Sequence, residues 1–296
     1  MKNKDFNIRK LLVDDIDTVT NWARNEGFAP GLGDVDIYRN TDNQGLWIGS
    51  INDKPIGCIA GIKYNQLYGF LGLFIIDKIY RGNGYGVQLW RHVLNKLDTI
   101  DCIGIEAALD RINDYEKWGF KSSSITTRWQ ISCFNQSLNI TNYDFYSKKY
   151  ILLEGSEIPQ DMIQEYDKNK EYTPRPHFLS DWLSHQSGTV LALVNKKGLC
   201  VGFSRIRPCL LRNGSGYRIG PLIADTPDLA SYLLSNLTSH YSGVILIDSP
   251  GRNTESNKLF RSLNFEPISH TVRMYRGNQP SISMREIYGL ACLELG

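Results

Sequence analysis

The chain predicts a mixed α/β (α+β) protein built of two tandem domains, each a mostly antiparallel mixed sheet flanked by helices. Three observations carry this reading. The 296 residues are enough for two compact cores at roughly 150 residues each. Apolar patterning runs as a helix, an antiparallel meander and a βαβ unit, and that order occurs twice. Finally, Gly57 and Gly202, Phe120 and Phe265, and Arg128 and Arg273 each stand 145 positions apart, which points to a duplicated unit.

A first strand is expected at 6–11, followed by a helix whose apolar stripe is Ile16, Val19, Trp22 and Ala23. Asp14 and Asp15 favour its N-terminus and Gly27 stops it. Runs 46–51 and 56–63 flank a polar Asn-Asp-Lys-Pro turn and read as a hairpin, with a third strand at 68–76. Leu89, Trp90, Val93, Leu94 and Leu97 form the stripe of a helix over 84–97. A buried strand at 102–107 and a helix at 111–118 follow. The second half repeats the pattern: hairpin strands at 190–194 and 201–207, a strand at 217–224, a helix at 229–237, a strand at 244–247 and a helix at 255–262, with short helices at 157–167 and 178–182 before them. The aperiodic stretch 135–149 joins the copies, so the expected domains are 1–137 and 148–296 with a linker at 138–147.

Composition narrows the function. With 33 Lys plus Arg against 31 Asp plus Glu, the chain has no field that would draw nucleic acid or an anionic membrane. The six cysteines, Cys58, Cys102, Cys133, Cys200, Cys209 and Cys292, have no C-x-x-C spacing, and the five histidines form no zinc motif, so reduced thiols and no metal are expected. The N-terminal stretch has no apolar run resembling a signal peptide, and a cytoplasmic location follows. Sequons at Asn135, Asn139, Asn213 and Asn236 would matter only in a secreted chain. Gly214-Ser215-Gly216 is not a hydrolase nucleophile elbow.

The informative stretch is the strand ending at Phe74, Ile75 and Ile76, then Arg81, Gly82, Asn83, Gly84, Tyr85, Gly86 and Val87, then a helix. Glycines let backbone N–H groups approach an anion, and a helix N-terminus adds unpaired donors and partial positive charge, so the turn suits a pyrophosphate. A dinucleotide fold would place an acidic residue near Glu106, but Val87 stands where its third small residue belongs and the preceding meander does not fit.

Arg81-x-x-Gly84-x-Gly86 after a strand, with Asp114-Tyr115-Glu116-Lys117-Trp118-Gly119-Phe120 some thirty residues later, resembles the GNAT superfamily of acyl-CoA-dependent N-acetyltransferases. Tyr166-Asp167, Arg175, Phe178-Leu179, Trp182, 273–277 and the closing 294–296 extend the resemblance to a tandem subfamily with a degenerate second domain. The resemblance implies that the fourth and fifth strands splay around the pantetheine arm of acetyl-CoA. It places the backbone of Phe74, Ile75 and Ile76 along that arm, and the amides of 82–87, with Arg81, around the pyrophosphate. Lys78 and Ala108 depart from the family pattern, outside the phosphate loop. Tyr115 is then the expected proton donor to the leaving thiolate. An alkylamine arrives protonated, so a carboxylate base is wanted; Asp34, in Pro30-Gly31-Leu32-Gly33-Asp34, and Glu106 are the candidates, each also readable as a solvated carboxylate.

In the second copy Phe260 stands at the Tyr115 offset and Thr226-Pro227-Asp228 replaces the glycine loop, so that half is expected to wall the acceptor cleft, with Arg175, Arg205 and Asp248 as polar candidates. The leading expectation is an N-acetyltransferase acting on a small-molecule or peptide amine. A noncatalytic acyl-CoA sensor or scaffold, and an NAD-linked oxidoreductase, are the alternatives.

Overall fold

The computed structural model describes residues 6–134, 138, 140, 143–279 and 281–296, without the side chains of Cys133 and Phe134. The first half runs β1 (Phe6–Lys10), α1 (Ile16–Glu26), α2 (Asp34–Thr41), β2 (Leu46–Ile51), β3 (Lys54–Lys63), β4 (Tyr68–Ile76), α3 (Tyr85–Lys96), β5 (Cys102–Ala108), α4 (Ile112–Glu116) and β6 (Lys121–Phe134). Then come α5 (Tyr143–Lys149), β7 (Ile151–Glu154), α6 (Gln160–Lys168), α7 (Pro176–Ser184), β8 (Thr189–Val194), β9 (Cys200–Leu210), β10 (Ser215–Ala224), α8 (Pro227–Thr238), β11 (Ser242–Pro250), α9 (Thr254–Ser262), β12 (Glu266–Gly277) and β13 (Ile287–Gly289).

The expected hairpins and alternating helices stand where the patterning puts them, and each half is a mixed, mostly antiparallel sheet with one parallel pair, β4 with β5 and β10 with β11. The repeat is structural too. Gly57 lies where a Cβ would press on the Ile75 carbonyl, and Gly202 lies where one would press on the Ile223 carbonyl. A Cβ would force the neighbouring strand to shift at Gly57 and crowd it at Gly202.

The halves are interleaved. The strand order is β1-β2-β3-β4-β5-β12-β6-β11-β10-β9-β8-β7, so β6 of the first half and β12 of the second are each seated in the sheet of the other. β12 pairs β5 from Thr271↔Ala108 to Gly277↔Cys102, and β6 pairs β11 from Ser242↔Phe134 to Pro250↔Thr126. Arg273 thereby faces Glu106 and Arg128 faces Asp248, two equivalent cross-strand pairs related by the duplication.

Two cores cover the outer sheet faces, one under α3 with Trp47, Ile59, Leu89, Val93 and Phe120, the other under α8 and α9 with Trp129, Leu233 and Phe260. A third joins the halves, packing Val19, Tyr38 and Ile48 against Phe178, Trp182 and Phe203. Within the stretch expected as a linker, residues 143–149 form α5; Asn135 and Asn139 lie outside the described residues. α2 was not anticipated, and neither were the long strands β6 and β12.

Candidate active site

The site begins with a fork. β4 pairs β5 only from Tyr68↔Cys102 to Leu71↔Ile105, and beyond Leu71 the two strands diverge. A bulge turns β4 at that point: Cys58 faces Ile75 and Ala60 faces Gly72, so three steps on β4 match two on β3, with Leu73 at φ 48°. The backbone of Phe74, Ile75 and Ile76 therefore has no strand partner on the β5 side. Gly72 is needed because a Cβ there would collide with the Glu294 carbonyl of the C-terminal segment.

β4 feeds the glycine loop through a turn capped by Asp77, which accepts the Ile79 N–H at 3.3 Å. Gly82 and Gly84 stand at φ 78° and 81° with no atom within 4 Å of an added Cβ, so their role is conformation and an open face, not close packing. Gly84 N-caps α3 without a side-chain hydrogen bond. The first intrahelical bond runs from Gln88 N–H to the Gly84 carbonyl at 3.2 Å, which leaves the amides of Tyr85, Gly86 and Val87 as the orphan donors of the helix start. Asn83 ties the loop down, donating to the Tyr80 and Arg81 carbonyls at 3.1 and 3.0 Å. Arg81 crosses behind it, its Nε donating to the Ile76 carbonyl at 2.7 Å and its Nη2 to Glu26 at 2.7 Å.

Tyr115 projects from α4 against Trp90, ring centroids 5.2 Å apart, and lines the same cleft of about 1570 Å³ as the fork and the loop. Burial pushes its pKa upward, so the hydroxyl keeps its proton at neutral pH. The cleft continues past the fork to residues of the second half: Leu211, Leu246, Asp248, Thr271, Leu293 and Glu294.

The two carboxylates considered as bases are placed differently. Asp34 starts α2, is fully buried, and does not line the cleft. Arg207 grips it at 2.8 and 2.9 Å, the Gly31 N–H donates to it at 2.9 Å and Tyr38 at 3.4 Å. Burial alone would raise its pKa, but the Arg207 charge and hydrogen bonds, with Arg218, hold it below the usual range. The geometry makes Asp34 an anchor between the halves and gives it no contact with an acceptor. Glu106 does line the cleft, but Arg273 Nε at 2.6 Å and Thr126 at 2.9 Å share one oxygen while Thr271 donates to the other at 2.7 Å.

Of the three polar candidates in the second half, only Asp248 reaches the cleft. Arg128 holds it at 2.7 and 2.9 Å and Arg218 at 2.9 Å. Burial opposes ionisation, yet the two guanidinium groups bring its pKa down to about 2. Arg175 is spent on Asp167 and Glu171, and Arg205 lies buried over the Trp182 ring at 4.9 Å, its pKa pulled down to about 9 by burial and by Arg207. Glu294, marked from sequence only as part of the closing 294–296, also lines the cleft, as do Gln130 and Arg212, which were not singled out. Arg128 and Arg273, whose offset marked the duplication, pair across strands with Asp248 and Glu106. Among the described residues no group of three or more His, Cys, Asp and Glu is placed to hold a metal ion.

The second half keeps the fork and closes it. β10 and β11 pair over Tyr217–Ile219, and past that point β13 pairs β10 at Leu222 and Ile223, with Leu290 N–H bonded to the Asp248 carbonyl at 2.8 Å. The slot that stays open beside β4 is filled by the protein's own chain. The helix start is closed as well, because Thr226 caps α8 by accepting the Leu229 N–H at 3.3 Å. Phe260 packs into the core against Trp129 at 5.6 Å, with no hydroxyl to offer.

An open fork leads into an uncapped glycine loop, with a protonated tyrosine on the same cleft. The chain is similar to known proteins. Residues 16–120 match the family described as "Acetyltransferase (GNAT) family", and residues 163–289 match "Acetyltransferase (GNAT) domain". A relative from Pseudoalteromonas sp. named holothin acyltransferase is 28% identical over 283 residues, covering 94% of this chain and 90% of its own. The solved structure of an acetyltransferase described as putative, from Pyrococcus horikoshii, superposes with TM-score 0.79 at 20% identity, covering 100% of this chain and 98% of that one. A tandem GNAT protein from the clavulanic acid biosynthesis pathway gives TM-score 0.62 at 12% identity, covering 94% and 100%. The chain belongs to the GNAT superfamily, with two GNAT domains in tandem, and is an acyltransferase by family. No helix among the described residues is long and apolar enough to cross a membrane.

Proposed function

We propose that the protein is an N-acetyltransferase that moves an acetyl group from acetyl-CoA to a primary amine of a small molecule or peptide by direct attack. The observation that supports this most is the continuity of the β4–β5 fork, the glycine loop and Tyr115 along one cleft. The residues fit the co-substrate: the amides of 85–87 and the open faces of Gly82 and Gly84 receive the pyrophosphate, and the edge of Phe74–Ile76, apart from the Ile76 carbonyl that Arg81 takes, offers N–H and C=O groups to the amide-bearing arm. A backbone N–H of that edge polarises the thioester carbonyl as negative charge develops on its oxygen. The amine nitrogen attacks the carbonyl carbon, a C–N bond forms, and the C–S bond breaks. Tyr115 gives its proton to the departing sulfur and regains one from solvent as the nitrogen sheds its own.

Glu106 lines the cleft with Oε1 taken by Arg273 and Thr126 and Oε2 by Thr271 alone, so it is held in orientation and keeps an acceptor site on Oε2. A cytoplasmic location belongs to this reading; Cys58, Cys102, Cys200, Cys209 and Cys292 are free thiols, and the Cys133 side chain lies outside the described residues. Calorimetric titration with acetyl-CoA, followed by thiol release with and without amines, tests the proposal. Saturable binding with amine-dependent release is expected. Binding without release on any amine would favour a sensor, and preference for NAD over CoA would overturn the family chemistry.

A further inference from the structure

Among the described residues six arginines are buried: Arg128, Arg175, Arg205, Arg207, Arg218 and Arg273. Five of them have a carboxylate partner. Arg128 and Arg218 hold Asp248 at 2.7 and 2.9 Å, Arg175 holds Asp167 at 2.8 Å, Arg207 holds Asp34 at 2.8 Å and Arg273 holds Glu106 at 2.6 Å. Arg205, in β9 and 0% exposed, is the exception. Its Nη2 donates to the Ser187 carbonyl at 2.8 Å, while Nε and Nη1 have no hydrogen-bond partner.

At neutral pH this guanidinium keeps its charge, even with its pKa drawn down to about 9 by burial and by Arg207. A charge taken out of water without a counter-charge is strongly disfavoured. The neighbours do not supply one. Asp34, the carboxylate whose field favours the Arg205 charge, gives both oxygens to Arg207. Burial keeps the Tyr38 hydroxyl protonated, and burial together with the Arg205 charge lowers the pKa of His185, so neither group is an anion. The Trp182 ring at 4.9 Å offers the negative face of its quadrupole, but it shares that with Arg207 at 4.2 Å. A water would solvate Nε and Nη1 without neutralising the charge they carry.

We infer that Arg205 Nε and Nη1 bind a small monatomic anion of the chloride type where the two halves meet. Full burial favours a single ion over a phosphate or carboxylate ligand, whose further oxygens two donors on one guanidinium would leave without partners. The way in is short, because Ser187, which takes Nη2, lies between the exposed Gln186 and Gly188. The site sits on the seam between the halves. Ser187 Oγ donates to the Leu32 carbonyl at 3.1 Å, and just beyond Leu32 stands Asp34, gripped by Arg207. An anion that binds only when β9 and the 185–188 loop are in place stabilises the joined halves by mass action. This inference is independent of the acyl-transfer reading above.

The test melts the full chain in potassium gluconate, with potassium chloride replacing it stepwise at constant ionic strength so that general screening stays fixed. Tm is expected to rise by about 2–4 °C or more and to level off as the site fills. Arg205→Met keeps an apolar stem and removes the charge, so it should melt no lower than wild type in gluconate and show no response to chloride. A flat Tm in wild type, or a chloride response kept by Arg205→Met, would overturn the inference. Crystals of wild type grown in bromide locate the ion directly and do not depend on the variant folding. An anomalous peak within hydrogen-bond reach of Arg205 Nε or Nη1 is expected. A water at that place, or bromide found only on the exposed surface as an adventitious ion only, would refute the site.

Discussion

Two substitutions at Gly84 separate backbone strain from charge at the proposed pyrophosphate site. Gly84 stands at φ 81°, with nothing within 4 Å of an added Cβ, so Gly84→Ala meets no steric clash and costs only the left-handed backbone, about 1–2 kcal/mol. A loss of that size lowers Tm by a few degrees in a chain of this length. Gly84→Asp has similar strain but sets a carboxylate where two phosphate charges must come. At about 4 Å and an effective dielectric near 20, each phosphate charge is opposed by about 4 kcal/mol. Even after halving for flexibility and screening, that exceeds the strain and removes a thousandfold or so of affinity. Both variants should therefore melt within a few degrees of each other, while calorimetric titration shows CoA bound by Gly84→Ala and no measurable binding by Gly84→Asp. Raising salt should narrow the gap. An unchanged CoA affinity in folded Gly84→Asp would refute the loop as the anion site.

Tyr115→Phe removes the phenolic proton and keeps the ring against Trp90, so kcat should fall about 10²- to 10⁴-fold while acetyl-CoA affinity stays nearly constant; unaltered turnover with chemistry rate-limiting would show that another acid serves. Asp248→Asn leaves Arg128 and Arg218 without their carboxylate and should destabilise by about 3–5 kcal/mol, read by urea unfolding. The same residue sets an acid dependence. Its folded pKa of about 2 lies below the unfolded value, so its contribution, about 2 kcal/mol, is present above pH ~4 and lost as pH falls towards 2. Wild type should lose stability through that window more steeply than the variant, and parallel slopes would argue against the ion pair. Finally, residues 1–137 and 148–296 expressed apart should each fail to give a cooperative melt, because β12 sits between β5 and β6, whereas co-expression should restore one; a cooperatively folding isolated half would contradict the interleaved sheet.

Local chemistry made much of this readable from sequence. The glycine loop, the hairpins and the α3 stripe depend on residues within a turn or two of each other, and they appear where periodicity places them. Strand exchange does not work that way. Nothing in Ser122-Ser123-Ser124 distinguishes a loop from a strand until β12 pairs with it, and the pairing of β6 with β11 further along is decided by the whole duplicated sheet. Asp34 shows the same limit for the site. Its place in a Pro-Gly-rich stretch suited an acceptor loop, but Arg207, 173 positions away, claims both its oxygens and fixes it as an anchor. The filling of the second fork by β13 was equally out of reach, since a three-residue strand carries almost no pattern.

The most direct test of the account is release of free CoA thiol from acetyl-CoA by the full chain, measured with and without a panel of conjugated and alkyl amines, beside Gly84→Asp as control. The account predicts that wild type releases thiol only when an amine is present, in equal amount to an acetylated amine seen by mass, and that Gly84→Asp releases none. Thiol release independent of amine, or equal release by Gly84→Asp, would contradict it.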